Sequence, residues 1–428
     1  MRSFLHKFVS PVAAAAVVLA AGACDSSPPT PQPPQANDDH FEIRSDDSLS
    51  VAGPGVLAND AGDAVQVASV NGSAANVGLP TATAESGTVT LQANGAFQYA
   101  RAAGFTGTDT FSYAVSNAGG IDDASVAIFV TDPWTQLEVM PTAVSRAAGV
   151  FWNGRLYVIG GQSEGSGHAG LVHVYDVATA AWTVLPDAMP TPVSNHCVAL
   201  LGDEAFVPGG FDGATGVTAT QVLDLASGTW RVEAAAELPE ARFAHACSSL
   251  AGRIYLFGGG ESGTGADTTW LYEPSLPPGS RWVTTLATMP AAIAYGASVT
   301  VDDRIFVAGF GSPSGPTDSA QVWAYIPGAD DWQTYPPLQA ARAGAGVWSD
   351  GETLFVGGGG WGVQHATVEA YDLSQGAAGT WVDSDPMIQA RRTFTFAIDP
   401  VTGHLLAAGG YSAGFEGSAE IGRLLTKP

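Results

Sequence analysis

Lysine is nearly missing from this chain of 428 residues: Lys7 and Lys427 stand near its two ends, and none lies between them. A phosphate-cradling P-loop needs a lysine behind its glycines, and a Schiff-base enzyme needs one in a pocket, so both chemistries are excluded from the body of the protein. Positive charge of any kind is scarce, with 16 Lys and Arg against 41 Asp and Glu and a formal charge of −25. A duplex-binding surface displaces counterions with clustered cations, whereas this composition repels phosphate, so nucleic acid is not expected as a partner. Cysteine is limited to Cys24, Cys197 and Cys247, with no C-x2-C spacing of the zinc-binding kind. The apolar run Pro11 to Ala23 is too short for a hydrocarbon core of roughly 30 Å. What the chain does hold is glycine and proline, 53 and 27 of them, among short apolar runs.

Arg2 and Lys7 ahead of that run make residues 1–23 read as a secretory signal. Two endings compete. Ala21-Gly22-Ala23 fits an A-x-A cleavage site, and the same run followed by Cys24 resembles a bacterial lipobox, in which Cys24 becomes the lipidated N-terminus. Ala21 departs from that pattern, where a larger aliphatic is usual. The polar, proline-rich residues 24–35 cannot bury apolar area and are expected to form an extended tether. The expectation is an exported protein of the bacterial cell envelope, touching membrane through a lipid on Cys24 alone. Export permits a disulfide between Cys197 and Cys247, and two free buried thiols fit the sequence as well, since spacing does not reveal whether their Cα atoms are close.

Residues 36–131 carry short alternating runs punctuated by Gly, Asn and Asp, such as VQVASV (65–70), AFQYA (96–100), TFSYAV (110–115) and ASVAIFV (124–130). So many short strands in this length predict one β-sandwich. The segments ANDDHFEI, GVLANDAGDAVQV and NGAFQYARAAGFTGTDTFSYAVSNAGG resemble bacterial Ig-like or cadherin-like tandem domains. That resemblance implies a spacer or adhesion module, some of which bind calcium. Asp38, Asp39, Asn59, Asp60, Asp63 and Asp109 are the oxygen donors that would hold Ca²⁺. Turn chemistry accounts for the same residues without a metal.

The remainder, residues 132–428, is a repeat. A strand ending in glycine recurs as RLYVIGG, EAFVPGG, RIYLFGG, RIFVAGF, TLFVGGG and HLLAAGG, with first glycines at 160, 209, 258, 309, 358 and 409. Trp134, Trp182, Trp230, Trp282, Trp332 and Trp381 keep the same beat. A period near 50 made of short strands signals a propeller, and the paired glycines, Tyr-Asp strand and spaced Trp resemble the kelch family. After Gly409 the next tryptophan falls due beyond the end of the chain, and Trp134 has no glycine pair before it. The strand around Trp134 is therefore expected to complete the last blade, which removes a free sheet edge and gives six blades from a single chain. The fold class is all-β: a six-bladed kelch β-propeller preceded by a β-sandwich. Phe310 replaces the second glycine in blade 4 and predicts an irregular turn there.

No catalytic residue is assigned. Gly161-Gln162-Ser163-Glu164-Gly165 matches G-x-S-x-G, but the nucleophile elbow needs a strand–turn–helix and a glycine-rich loop follows instead. His196 and His245 share one register in adjacent blades, where kelch repeats often carry His; the alternative is a copper or zinc pair near the axis, as in the copper oxidase galactose oxidase. That enzyme's two Tyr and Tyr-Cys crosslink have no counterpart that the sequence places, and its blades number seven. His168, His173 and His365 show no ligand spacing. Arg242, Arg342 and Arg391 recur at one register, with Arg146, Asn195 and Tyr295 two residues further along in other blades. Guanidiniums around one mouth of an acidic propeller would bind carboxylates or acidic glycans, while the alternative is pairing with the many Asp and Glu between blades. The expectation is a protein- or glycan-binding face. Some six-bladed kelch proteins of the bacterial periplasm are sialic-acid epimerases, which makes a carbohydrate-acting enzyme the rival reading.

Overall fold

The computed structural model describes residues 31–45, 48–131, 133–164, 167–168, 170–261, 265–311 and 317–422, so the expected signal sequence, Cys24 and most of the expected tether lie outside the described residues. The chain divides between residues 133 and 134 into two compact units. Among the described residues no helix is long and apolar enough to cross a membrane.

The first unit has two four-stranded sheets. One orders Asp39–Arg44, Gly120–Thr131, Gly107–Asn117 and Gln66–Val70; the other orders Leu49–Val51, Phe97–Ala100, Thr88–Leu91 and Thr81–Ala82. Alternation decides the faces: Phe111, Tyr113 and Val115 on one long strand and Val126, Ile128 and Val130 on its neighbour point into a single core. Asp39–Arg44 runs parallel to Gly120–Thr131, a pairing that period-2 patterning does not reveal. The end of the expected tether belongs to this unit. Gln35 and Ala61 exchange backbone hydrogen bonds of 2.8 and 2.9 Å, and the Asn117 amide donates to the Gln32 carbonyl at 2.8 Å.

Among the described residues the second unit has six four-stranded antiparallel sheets and one small three-stranded sheet of Val144–Ser145, Gln162–Ser163 and Gly167–His168. The first strands of the six are Ala148–Trp152, Ala199–Leu201, Ala246–Leu250, Ala297–Val301, Ala345–Ser349 and Thr395–Ile398. The sixth sheet takes its fourth strand from the start of the unit: Trp134–Gln136 pairs with Ala419–Gly422, Trp134 opposite Gly422. Tryptophan fastens five of the six blades to the one before it, the exception being blade 2, where the Trp230 indole nitrogen is buried without a partner among the described residues. The indole N–H of Trp182, Trp282, Trp332 and Trp381 donates to the carbonyl of Glu138, Ala236, Ala287 and Pro336, each just past the preceding blade's last strand, at 2.7–3.1 Å. Trp134 does the same across the closure, reaching the Asp385 carbonyl at 3.2 Å.

The first glycine of every pair is left-handed, with φ between 63° and 67°. A side chain there would meet the next blade: a Cβ on Gly258 would lie 2.3 Å from Ile293 Cγ1. The second glycine sends its N–H to that blade, as Gly161 to Val193, Gly210 to Arg242 and Gly410 to Val144, at 2.8–2.9 Å. Phe310 breaks the pattern, since it is not left-handed and stacks on Trp323 with centroids 4.7 Å apart. Cys197 and Cys247 form a disulfide, Cα atoms 5.7 Å apart, linking the innermost segments of blades 2 and 3.

Candidate functional site

Six residues, one per blade, ring one mouth of the central channel: Arg146, Asn195, Ala244, Tyr295, Gly344 and Thr393. All six are left-handed, with φ between 50° and 66°. Each N–H donates to the carbonyl of the ring residue in the preceding blade at 2.7–2.9 Å, and Arg146 closes the circle on Thr393. With their backbones spent on one another, these residues offer only side chains to a ligand. Arg146, Asn195 and Tyr295, expected at a ligand-binding rim, thus stand at the mouth.

Arg242, Arg342 and Arg391 do not. Each is 1% exposed or less. Their register lies two residues before the ring, where the side chain enters the blade and Nη1 donates to the carbonyl of the blade's own left-handed glycine: Gly258, Gly358 or Gly409, at 2.8–3.0 Å. Arg342 and Arg391 pair with Glu369 and Glu420 at 2.7 and 2.8 Å, all four side chains buried. Arg242 lies 3.7 Å over the Trp270 ring and pairs with Glu240 at 2.6 Å. Burial pushes the Glu420 carboxyl above its ordinary value, and Arg391 with the N–H groups of Ile388 and Gln389 opposes that shift. These three arginines are framework, so their expected place at a binding rim is corrected here.

The guanidinium that sequence reading passed over is Arg392. It lies one residue before the ring, sandwiched against Trp361 at 4.0 Å and Tyr411 at 4.8 Å. Tyr295 packs on Trp361, centroids 5.0 Å apart. The Arg392 Nε is buried without a hydrogen-bond partner, and among the described residues no carboxylate pairs with Arg392 or Arg146. Arg146 Nη1 donates to Gln162 Oε1 at 2.9 Å. Burial, and after it the charge of Arg146, holds the Arg392 guanidinium below its ordinary value. An arginine remains cationic under such pressure, so two cations sit within Coulomb range beside aromatic planes. The only sequence signal was the doublet Arg391-Arg392, where the other repeats show a single basic residue at most.

Behind the ring the channel encloses about 360 Å³. Half of its lining residues are Ala, Val, Leu, Ile and Phe, and among the described residues no Asp, Glu or Lys lines it. Among the wall hydroxyls, Ser248 bonds Ser298 at 2.9 Å and Thr300 donates to the Ser249 carbonyl at 2.8 Å, while Thr395 Oγ1 is buried without a partner among the described residues. His196 and His245 lie on this wall, buried, each with Nε2 on a carbonyl, Ile159 at 3.1 Å and Pro208 at 3.0 Å. A carbonyl only accepts, so Nε2 carries the proton and Nδ1 is left bare in both rings. Burial lowers His196 to about 4 and His245 to about 3, so both are neutral near pH 7.

Among the described residues no three His, Cys, Asp or Glu side chains are placed to share a metal, so the copper reading of His196 and His245 lacks its ligand set. The same holds for the carboxylates expected to bind calcium. Asp38 accepts from Ser125 N and Oγ at 2.8 and 2.9 Å, Asp39 and Asp60 meet on the Tyr113 hydroxyl, and Asp63 faces Gln32 N at 3.4 Å. Asp109 is wholly buried and accepts from Thr83, Tyr99, Glu85 and Thr110. Only Asp39 and Asp60 are brought together, and protein donors occupy all five. Ser163 lies in a two-residue hairpin strand, not an elbow before a helix. His173 is fully buried, and His168 packs on Phe211 with centroids 5.4 Å apart.

Comparison with known proteins matches residues 113–309 to the KLHDC2/KLHL20/DRC7 Kelch-repeats domain and residues 31–129 to the Bacterial Ig domain. Kelch-like protein terF of Aspergillus terreus is 30% identical over 247 residues, 54% of this chain and 53% of that protein. Kelch-like protein 35 of Mus musculus is 30% identical over 166 residues, 38% of this chain and 27% of that protein. The chain thus spans about half or less of the length of these curated relatives. The solved structure of YjhT aligns with a TM-score of 0.55 and 16% identity, over 67% of this chain and 95% of its own, which is a likeness of fold.

Proposed function

We propose that this chain, a kelch-repeat propeller preceded by a bacterial Ig domain, is a binding protein whose ring face takes a carboxylate-bearing protein or glycan. The observation that carries it is the pair Arg146 and Arg392, cationic, without carboxylate partners among the described residues, and set beside Trp361, Tyr411 and Tyr295. Guanidinium forks match carboxylates, and aromatic planes stack on sugar or peptide faces. On a molecule of formal charge −25 such a patch attracts anions locally where the rest of the surface repels them. A glycan and peptide array tests it. Arg146→Ala with Arg392→Ala should lose the acidic hits by at least tenfold, and undiminished binding in the double variant overturns the reading. A hit recovered chemically changed would move the protein to the rival class, a carbohydrate-acting enzyme.

The Ig domain serves as a spacer lying in the chain between an anchor on Cys24 and the propeller, in the cell envelope. In a bacterial host, Cys24→Ser should move the protein from the membrane to the soluble fraction. Retention of the variant on the membrane removes lipidation at that residue.

A further inference from the structure

We infer that the central channel takes the apolar arm of an amphiphilic carboxylate, an aliphatic monocarboxylic acid whose head group is held by Arg146 and Arg392 at the ring. The inference rests on the proposed anion-binding role of those two residues and adds the chemistry of what lies behind the carboxylate.

Three observations converge on it. The chain has 41 Asp and Glu, yet among the described residues none lines the channel, where Arg146 at the mouth is the one permanently charged side chain among those residues. Several polar groups of the wall are paired among themselves or with carbonyls: Ser248 with Ser298, Thr300 with the Ser249 carbonyl, and the imidazole Nε2 atoms of His196 and His245 with carbonyls, while the Nδ1 atoms of both rings, Thr395 Oγ1 and Trp348 Nε1 are buried without a partner among the described residues. Both imidazoles are also kept neutral by burial. A sugar entering this space would find few exposed, free partners for its hydroxyls, at a cost that a hydrocarbon chain does not incur. The dimensions fit as well. The five residues of Ala148–Trp152, at about 3.3 Å each, give a wall of roughly 16 Å, and the enclosed volume of about 360 Å³ is within the range of small-ligand pockets. Head and tail therefore have separate, chemically distinct seats, one on the ring and one behind it.

The test is calorimetric titration of the full chain with acetate, hexanoate, octanoate, decanoate and glucuronate, each below its micelle concentration. Affinity should rise roughly two- to fourfold with each added methylene until the channel is filled, because each is removed from water. Arg146→Ala should weaken every carboxylate. Val198→Phe and Thr300→Phe, which place bulk in the channel, should cost decanoate at least tenfold and leave glucuronate within twofold. Equal affinity along the series, or a chain-length preference untouched by both filled variants, overturns the inference. Should the filled variants fail to fold, the chain-length series on the unaltered protein decides alone. Glucuronate bound through Arg146 with no gain from chain length would keep the ring as an anion site and sink the channel. Chain-length gain that survives Arg146→Ala and Arg392→Ala together would sink the head-group assignment as well.

Discussion

Arg391 and Arg392 are neighbours with opposite employment, and the contrast is testable. Arg391 is wholly buried, spanning Gly409, Ser418 and the buried Glu420 carboxylate. Removing it leaves an uncompensated buried charge, so Arg391→Ala should lower stability by about 3–5 kcal/mol. Arg392 is partly exposed and rests on two rings, so Arg392→Ala should shift stability by about 0.5 kcal/mol or less while costing ligand. Urea titration of both variants checks this; equal losses would mean that the two residues share one structural role. Substituting Glu420 together with Arg391 by apolar residues should recover most of the loss. Sequence alone exposes the register of the basic residue but not its direction. A single step along an extended strand turns a side chain from the blade interior to the mouth, and no spacing rule distinguishes Arg391 from Arg392 without the neighbours that bury one of them.

Among the elements, the opening segments of blades 2 and 3 carry a built-in acid sensitivity. His196 and His245 are buried and neutral, at about 4 and about 3 in the folded chain against about 6.5 when unfolded. The unfolded chain therefore binds more protons between those values, so the contribution is fully present above about pH 6.5 and is lost as pH falls toward 4. From pH 7 to pH 5 each histidine should cost roughly 2 kcal/mol. Chemical denaturation at the two pH values checks it, with His196→Leu and His245→Leu expected to flatten the difference. An unchanged slope in both variants would assign the acid sensitivity elsewhere, His173 being the next buried imidazole, with neither ring nitrogen partnered. The Cys197–Cys247 bridge joins these same segments, so the two blades should respond together.

For the whole molecule, what was legible is what repeats. The glycine and tryptophan beats near 50 residues carried the propeller, its six sectors and its closing strand, because each repeat imposes one local demand: a left-handed turn at the glycine, an indole against the preceding blade. What does not repeat stayed hidden. The backbone belt at the mouth mixes Arg, Asn, Ala, Tyr, Gly and Thr at one register, and a shared φ leaves no common side chain to see. In the first unit, the carboxylates look like a calcium set by composition, and only three-dimensional placement shows Tyr113, Tyr99 and Ser125 occupying them. Closure is the feature on which the ring as a whole depends, and it joins residues nearly 300 apart in the chain. Trp134 is 5% exposed, packs edge-on to Trp348 with centroids 6.4 Å apart, and hydrogen-bonds the Asp385 carbonyl, so it holds the closing strand to blade 5 as well as filling its own sheet. Trp134→Ala should therefore cost about 3–5 kcal/mol, and the loss should be local at first. Amide exchange should quicken in Ala419–Gly422 and Trp134–Gln136 together, by tenfold or more, ahead of Arg253–Phe257 on the far side of the sequence. Acceleration spread evenly over all six blades would mean that the ring opens only by global unfolding, and that the joint between the two ends is no weaker than any other.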